Sequence, residues 1–165
     1  MAEPVAAEAS KCPLTPSTTA GAINVPILEP DADQNFGGVA LTHPWRQTEA
    51  VPCYTIDALQ LGMLHLLKAD VEGMEPEVIA GARETIRRHT PILYLESDRV
   101  DRRADLVREL NTLDYVAFWH SPPLFHPQNF ANNAENIFAD IVSQNWLCVH
   151  RSQVDALASF ERVNL

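Results

Sequence analysis

The sequence predicts an α/β domain organised around a right-handed βαβ unit, and three observations predict it. Leu64–Ala69 (LHLLKA) and Ile92–Glu96 (ILYLE) are nearly continuous apolar runs, the pattern of strands covered on both faces. Between them Val78, Ala82 and Ile86 recur at helical spacing with Ile79 beside them, which makes one buried stripe. The connections are short, and a strand–helix–strand passage of this kind is right-handed with parallel strands.

The boundaries of that unit follow from local chemistry. Pro76 is expected at the first position of the helix, where its missing N–H costs nothing. Glu75 and Glu77 lie at the positive end of the helix dipole, and Arg87, Arg88 and His89 at the negative end. Thr90-Pro91 stops the helix, because the residue before a proline disfavours the α region. Gly81 costs about 1 kcal/mol against alanine inside a helix, so close helix–sheet packing is expected there.

Upstream, residues 1–21 are rich in Ala, Pro, Ser and Thr without periodicity and are expected to form a disordered tail ahead of one domain over 22–165. Ile23–Leu28 (INVPIL) is interrupted by Pro26 and is at best an edge strand. Asp31–Gly38 reads as a loop, and Val51–Ile56 as a strand or extended lead-in. Thr55 or Asp57 can cap a short helix over Ala58–Leu61. Downstream, a helix is expected over Asp101–Asn111, with Ala104, Val107 and Leu110 on one face. Tyr115–Trp119 and Trp146–His150 are further strands, His120–Glu135 is a long loop rich in Pro and Asn, and Val154–Phe160 is a terminal helix.

Composition narrows the function. The 165 residues are enough for one domain with a real core. A net charge of -10 repels phosphate backbones, so nucleic acid is not an expected partner. The basic clusters Arg87, Arg88, His89 and Arg99, Arg102, Arg103 have acidic residues nearby and read as solvated helix faces. Cys12, Cys53 and Cys148 are odd in number and widely spaced, which suits a reduced cytoplasmic compartment; Cys53 and Cys148 read as core residues. No apolar run is long enough to span a membrane, and the N-terminus does not read as a secretory signal.

Candidate site residues sit where strands end. In an open α/β sheet, ligands bind outside the carboxyl ends of the strands. Asp70 follows the first apolar strand, Glu96 ends the second and His120 follows the third. In extended backbone Asp70 and Glu72 point to the same side, and Gly73 then allows the turn into the helix. Such a pair can accept hydrogen bonds from hydroxyls, bind a hard cation or hold a proton for general-base work. Alternatively, Glu72 and Glu75 simply complement the helix N-terminus. Asn129, Asn132, Asn133 and Asn136 can hydrogen-bond a polyhydroxylated substrate or satisfy turn backbone. His65, inside an apolar run, reads as a core histidine, and His43, His126 and His150 have no partner at a recognisable spacing.

The run LLKADVEGMEPEVIAGARETI followed by PILYLE resembles the FkbM family of S-adenosylmethionine-dependent methyltransferases. In that family a K-x-D-V-E-G strand end leads into a helix of the form E-x-E-V-L-x-G-A, and a later strand ends in Glu. NFGG at Asn35–Gly38, VPCYTIDAL at Val51–Leu59, Asn129-Phe130, Asn136-Ile137-Phe138 and Asn145-Trp146-Leu147-Cys148 are similar to further family segments in the same order. The resemblance implies a Rossmann-like class I methyltransferase sheet, mainly parallel with a C-terminal antiparallel pair. Its fourth to seventh strands would be Leu64–Ala69, Ile92–Glu96, Tyr115–Trp119 and Trp146–His150. It implies methyl transfer from S-adenosyl-L-methionine to a hydroxyl, on a sugar or another small polar acceptor. Asp70, Glu72 and His120 would be the catalytic candidates, with Asp70 the expected base. Asp70 and Glu96 would lie at the cofactor, and Asn129, Asn132 and Asn136 at the substrate. No metal is expected. One feature departs from the family: no G-x-G turn follows a strand, although the family opens with a glycine-rich turn that cradles the cofactor. The chain therefore reads as the C-terminal part of such a domain, with the first strands missing. The alternative is a non-catalytic remnant, or a carbohydrate- or cation-binding module, that self-associates through an exposed edge on the LHLLKA strand.

Overall fold

The computed structural model describes residues 21–29, 31, 38–41 and 43–164. The expected tail up to residue 20, Cys12, most of the Asp31–Gly38 loop and most of the NFGG segment lie outside the described residues. Strand β1 (Gly21–Pro26) pairs antiparallel with β2 (Thr48–Cys53), Gly21 opposite Cys53 and Pro26 opposite Thr48. Proline falls at the strand end, where its missing N–H is tolerated.

Four strands make the main sheet: β3 (Leu66–Ala69), β4 (Ile92–Glu96), β5 (Tyr115–His120) and β6 (Asn145–His150), in the order β3-β4-β6-β5. β3 and β4 are parallel, while β6 is antiparallel to both β4 and β5. Three strands therefore run one way and β6 runs back between them. The expectation of a mainly parallel sheet holds for strand direction but not for the ladders. The C-terminal antiparallel pair is β5–β6.

Helices α1 (Glu75–Ala80), α2 (Arg83–His89) and α3 (Arg103–Thr112) cover one face of this mixed α/β layer. Ile79, Ala82, Ile86, Leu106, Leu110 and Leu113 pack there against Leu93, Leu95, Tyr115, Ala117, Trp146 and Cys148. On the other face Val116, Phe118 and Val149 meet Val154 and Leu157 of a 3-10 helix, Arg151–Leu157, which takes the place of the expected terminal α-helix. The α3 stripe is Leu106 and Leu110; Ala104 is exposed and Val107 half-buried, so the expected face was turned from the real one.

The single helix expected between β3 and β4 is two helices, broken at Gly81-Ala82. A side chain caps the second from far away in sequence. Asp57 Oδ1 accepts from Thr85 N at 2.7 Å and Oδ2 from Glu84 N at 3.1 Å, while Asp57 N donates to Gly81 O at 3.0 Å. Thr55 serves the local 3-10 helix Asp57–Leu59, its Oγ1 accepting from Ala58 N at 3.1 Å. A Cβ on Gly81 would stand 3.4 Å from the Thr55 side chain, so the close approach is to this lead-in and not to the sheet.

The two sheet edges differ. Along β5, Trp119 N donates to Glu161 O at 2.8 Å and Val163 N to Ala117 O at 2.9 Å, so the C-terminal segment covers that edge. β3 ends the sheet and, among the described residues, pairs with β4 alone. It is not covered on both faces as expected. Leu66 is 57% exposed, its register neighbour Ile92 is 42% exposed, and His65 is exposed rather than core. The helices cover only the opposite face.

Asp57→Ala removes the cap of α2 and is expected to cost about 1–2 kcal/mol. Thermal unfolding should show a Tm lower by about 2–4 °C per kcal/mol for a chain of this size. An unchanged Tm would mean that α2 does not depend on this contact.

Candidate active site

The site begins where β3 ends. Ala69 is buried, and the chain leaves the sheet at Asp70. Glu75, 3% exposed, folds back under the turn, and its Oε1 accepts from Val71 N at 2.9 Å and Gly73 N at 3.4 Å. Glu72 adopts φ 53° and Gly73 φ 97°, both left-handed. The backbone is therefore not extended past Asp70, as the sequence pattern suggested. Asp70 and Glu72 approach each other through a tight turn, and Gly73 supplies the conformation that L side chains resist.

That turn brings three carboxylates together. Asp70, Glu72 and Glu96 each present an oxygen, all within 4.8 Å of one another. Two of the three are answered by cations of the chain: Lys68 Nζ lies 2.9 Å from Asp70, and Arg99 donates to Glu72. Arg99 also stands 3.8 Å from Asp98. Three such oxygens are the donor type of a hard cation, but here Lys68 and Arg99 already supply the positive charge.

Glu96 is the exception. Its Oε2 is buried and has no hydrogen-bond partner among the described residues. Burial, with the nearby charges of Asp98, Asp70 and Glu72, pushes its pKa up to about 7. Protonated Glu96 can donate to Asp70, so the two carboxyls can share one proton.

Two open clefts flank the cluster. One, of about 480 Å³, is lined by Asp70, Glu72 and Met74 on one side and by Val25, Leu28 and Val39 on the other. The second, of about 390 Å³, is lined by Glu96 and Asp98 together with Val100, Leu124 and Val142. Both volumes fall in the range of small-molecule sites, about 300–1,000 Å³.

The other expected site residues stand apart from the carboxylates. His120 lies across β6 from Glu96, both in register with Asn145, and its Nδ1 is 2.8 Å from Tyr94 Oη. Asn129 spends its amide on His126 O and Asn133 O and its oxygen on Asn133 N. Asn136 likewise bonds Ala139 O and Phe138 N, and Asn132 sits at φ 51° in the same loop. None of the three lines either cleft.

The arginines were misread from sequence. Arg87 and Arg88 are exposed, as expected of a solvated face. Arg99, Arg102 and Arg103 instead build the site's surroundings. Arg102 Nε donates to Gly73 O at 2.9 Å, and its guanidinium pairs with Glu77 and Asp105. Arg103 donates to Ser97 O at 2.8 Å and to Gln144 at 2.6 Å. The only available signal was their place just after Glu96, at a strand end.

Because the folded-state pKa of Glu96 lies above the ordinary value of 4.5, the folded chain holds a proton that the unfolded chain releases. Its contribution to stability is complete below the ordinary value and is lost as pH rises through about 7. The Tm is therefore expected to fall by a few degrees between about pH 5 and about pH 8, and Glu96→Gln should flatten that slope. A slope unchanged in the variant would assign it to another group. Gly73→Ala forces a Cβ into the φ 97° position, 3.3 Å from Arg99 Cγ. It should cost about 1–2 kcal/mol in urea unfolding.

Among the described residues no helix is long and apolar enough to cross a membrane. No curated protein and no solved structure matches the chain. The family model for the methyltransferase FkbM domain matches residues 16–118, more than half of the 165 residues, and this span includes β1 to β4, the turn after β3 and the whole carboxylate cluster. The chain belongs to the FkbM methyltransferase family.

Proposed function

We propose that this chain transfers a methyl group from S-adenosylmethionine to a hydroxyl oxygen of a small acceptor, at the rim formed by Asp70, Glu72 and Glu96. Membership of a methyltransferase family, generally dependent on this cofactor, supports the reaction class. The observation that carries the placement is the convergence of three carboxylates within 4.8 Å at the carboxyl ends of the parallel pair β3–β4. That pair, and the antiparallel pairing of β5 with β6, support reading the sheet as the later strands of a class I methyltransferase.

The larger cleft fits the cofactor in kind. Val25, Leu28 and Val39 give an apolar wall, and Asp70 and Glu72 form its polar end. An apolar wall ending in carboxylates suits a molecule that carries an aromatic base at one end and positive charge at the other. Among the described residues no paired-glycine turn contributes to it; Gly73 lies in the turn itself and Gly81 at the helix break. When bound, the cofactor supplies an electrophilic methyl on a sulfonium. The chain's part is to hold that charge beside Asp70, to orient the acceptor and to accept its proton. His120, oriented by Tyr94, lies on the same face of the sheet as Glu96 and is a further polar group for the acceptor.

Isothermal titration with S-adenosylmethionine tests this. Saturable binding is expected, weakened about tenfold in Asp70→Asn, which corresponds to about 1.4 kcal/mol. No heat at millimolar cofactor would sink cofactor use by this chain.

A second reading, self-association through β3, is favoured by that strand's place at the sheet edge and by the exposure of Leu66 and Ile92. Light scattering coupled to size exclusion decides it. A dimer lost in Leu66→Lys would support the edge contact, and a monomer at high protein concentration would remove it.

A further inference from the structure

We infer that two copies of this chain join along the edge of β3, antiparallel about a two-fold axis at Leu67, so that Leu66 of each copy faces the partner's Lys68. The inference rests on the self-association reading, to which it adds the register and the residue that a partner brings to the rim.

The main chain of β3 has one bonded side and one open side. Ile92 N donates to His65 O at 2.9 Å, and β3 runs parallel to β4 with Leu67 opposite Leu93. Alternate residues of a strand bond to the same side, so His65, Leu67 and Ala69 turn their peptide groups to β4. Leu66 and Lys68 turn theirs outward, where no strand among the described residues meets them. The side chains of both are exposed. A lysine on an edge strand ordinarily keeps a second strand away. Here Asp70 lies 2.9 Å from Lys68 Nζ and answers that charge.

The two ends of the strand select a second copy as the occupant. The carboxyl end leads into Asp70 and Glu72 of the acidic cluster. The amino end carries His65, with exposed Arg88 at the end of α2 and His89, whose Nε2 is 3.0 Å from Leu61 O. One end is acidic and the other basic, and an antiparallel pair of copies lays each acidic end beside a basic one. The same patch then serves on both copies, as a two-fold contact requires, and the two four-stranded sheets become one.

Outward-facing residues must meet outward-facing residues to exchange bonds across an antiparallel pair. A two-fold axis therefore passes through a residue of β3 and not between two. An axis at either end, Leu66 or Ala69, opposes most of the strand to residues outside it. An axis at Lys68 opposes two ammonium groups, which is destabilising. An axis at Leu67 sets Leu66 against the partner's Lys68 twice over, each pair exchanging both main-chain bonds, and lays the lysine methylenes on leucine. It also sets the partner's His65 opposite Ala69, one residue from Asp70, so a second copy brings an imidazole to the border of the carboxylate rim.

The test mixes two differently tagged full-length chains, one with Leu66→Cys and the other with Lys68→Cys, under mild oxidation, and locates linked peptides by mass spectrometry. Both positions are exposed, where substitutions leave stability nearly unchanged. Directly opposed residues of a bonded pair lie about 5.5 Å apart at Cα, within disulfide reach. Diagonal neighbours, at about 7–8 Å, lie beyond it. A heterodimer linked through the two substituted positions is expected from the mixture, and no linked homodimer from either chain alone. A homodimer linked at position 66 or at position 68 would move the axis to that residue and overturn the assignment. Light scattering on the wild-type chain at the same concentration separates the two levels. A dimer without the linked heterodimer overturns this register and leaves self-association standing, and a monomer overturns both.

Discussion

The turn that gathers the three carboxylates hangs on a fourth, buried one. Glu75 satisfies the N–H groups of Val71 and Gly73, which would otherwise be buried or strained donors at a cost of about 1–3 kcal/mol each. Holding those two groups lets the chain reverse within three residues of leaving β3. The reversal places Glu72 in the left-handed region and turns its side chain to Arg99. The other side of the same turn is held by Arg102, which donates to Gly73 O and joins Glu77 of α1 to Asp105 of α3. Both helices beside the site are thereby tied to one peptide unit.

The sheet sets where that turn can deliver its carboxylates. Parallel pairing of β3 with β4 puts Ala69 opposite Leu95, so Asp70 and Glu96 leave the sheet at the same level. A parallel pair ends with both carboxyl ends together, whereas the antiparallel pairs on β6 bring a beginning to an end. Asn145, the first residue of β6, accordingly stands opposite Glu96 and His120, and contributes a neutral amide where a forward strand would have placed another strand end. The reversal of β6 thus limits the acidic convergence to the β3–β4 side.

The part of this that is legible in the sequence is the part carried by periodicity and by chain ends. The apolar runs locate β3 to β6 to within one or two residues, and their carboxyl ends name Asp70 and Glu96 as neighbours. The tight turn is announced by Gly73. What could not be read is long-range side-chain placement. Asp57 looks like a local cap, yet it caps a helix 27 and 28 residues on, because the Gly81-Ala82 break creates a new helix start beside it. The arginines after Glu96 look like a helix face, yet Arg99 and Arg102 reach back to the turn after β3. Leu66 looks like a core residue, because an apolar run cannot say which strand ends the sheet. Each failure concerns which distant element lies alongside, a matter settled by topology and not by local composition.

Charge balance then singles out one group. The chain carries a net charge of -10, yet its cations are spent selectively around the rim. Lys68 answers Asp70 and Arg99 answers Glu72. Arg102 is taken up by Gly73 O, Glu77 and Asp105, and Arg103, next in sequence, is not free to reach Glu96. Its guanidinium is fixed by Ser97 O and Gln144 and lies 5.1 Å over the Trp119 ring. Glu96 is left among Asp70, Glu72 and Asp98 with no ion pair of its own among the described residues. Like charges at this distance cannot all remain ionised without cost, so a proton takes the place that a cation fills at the other two.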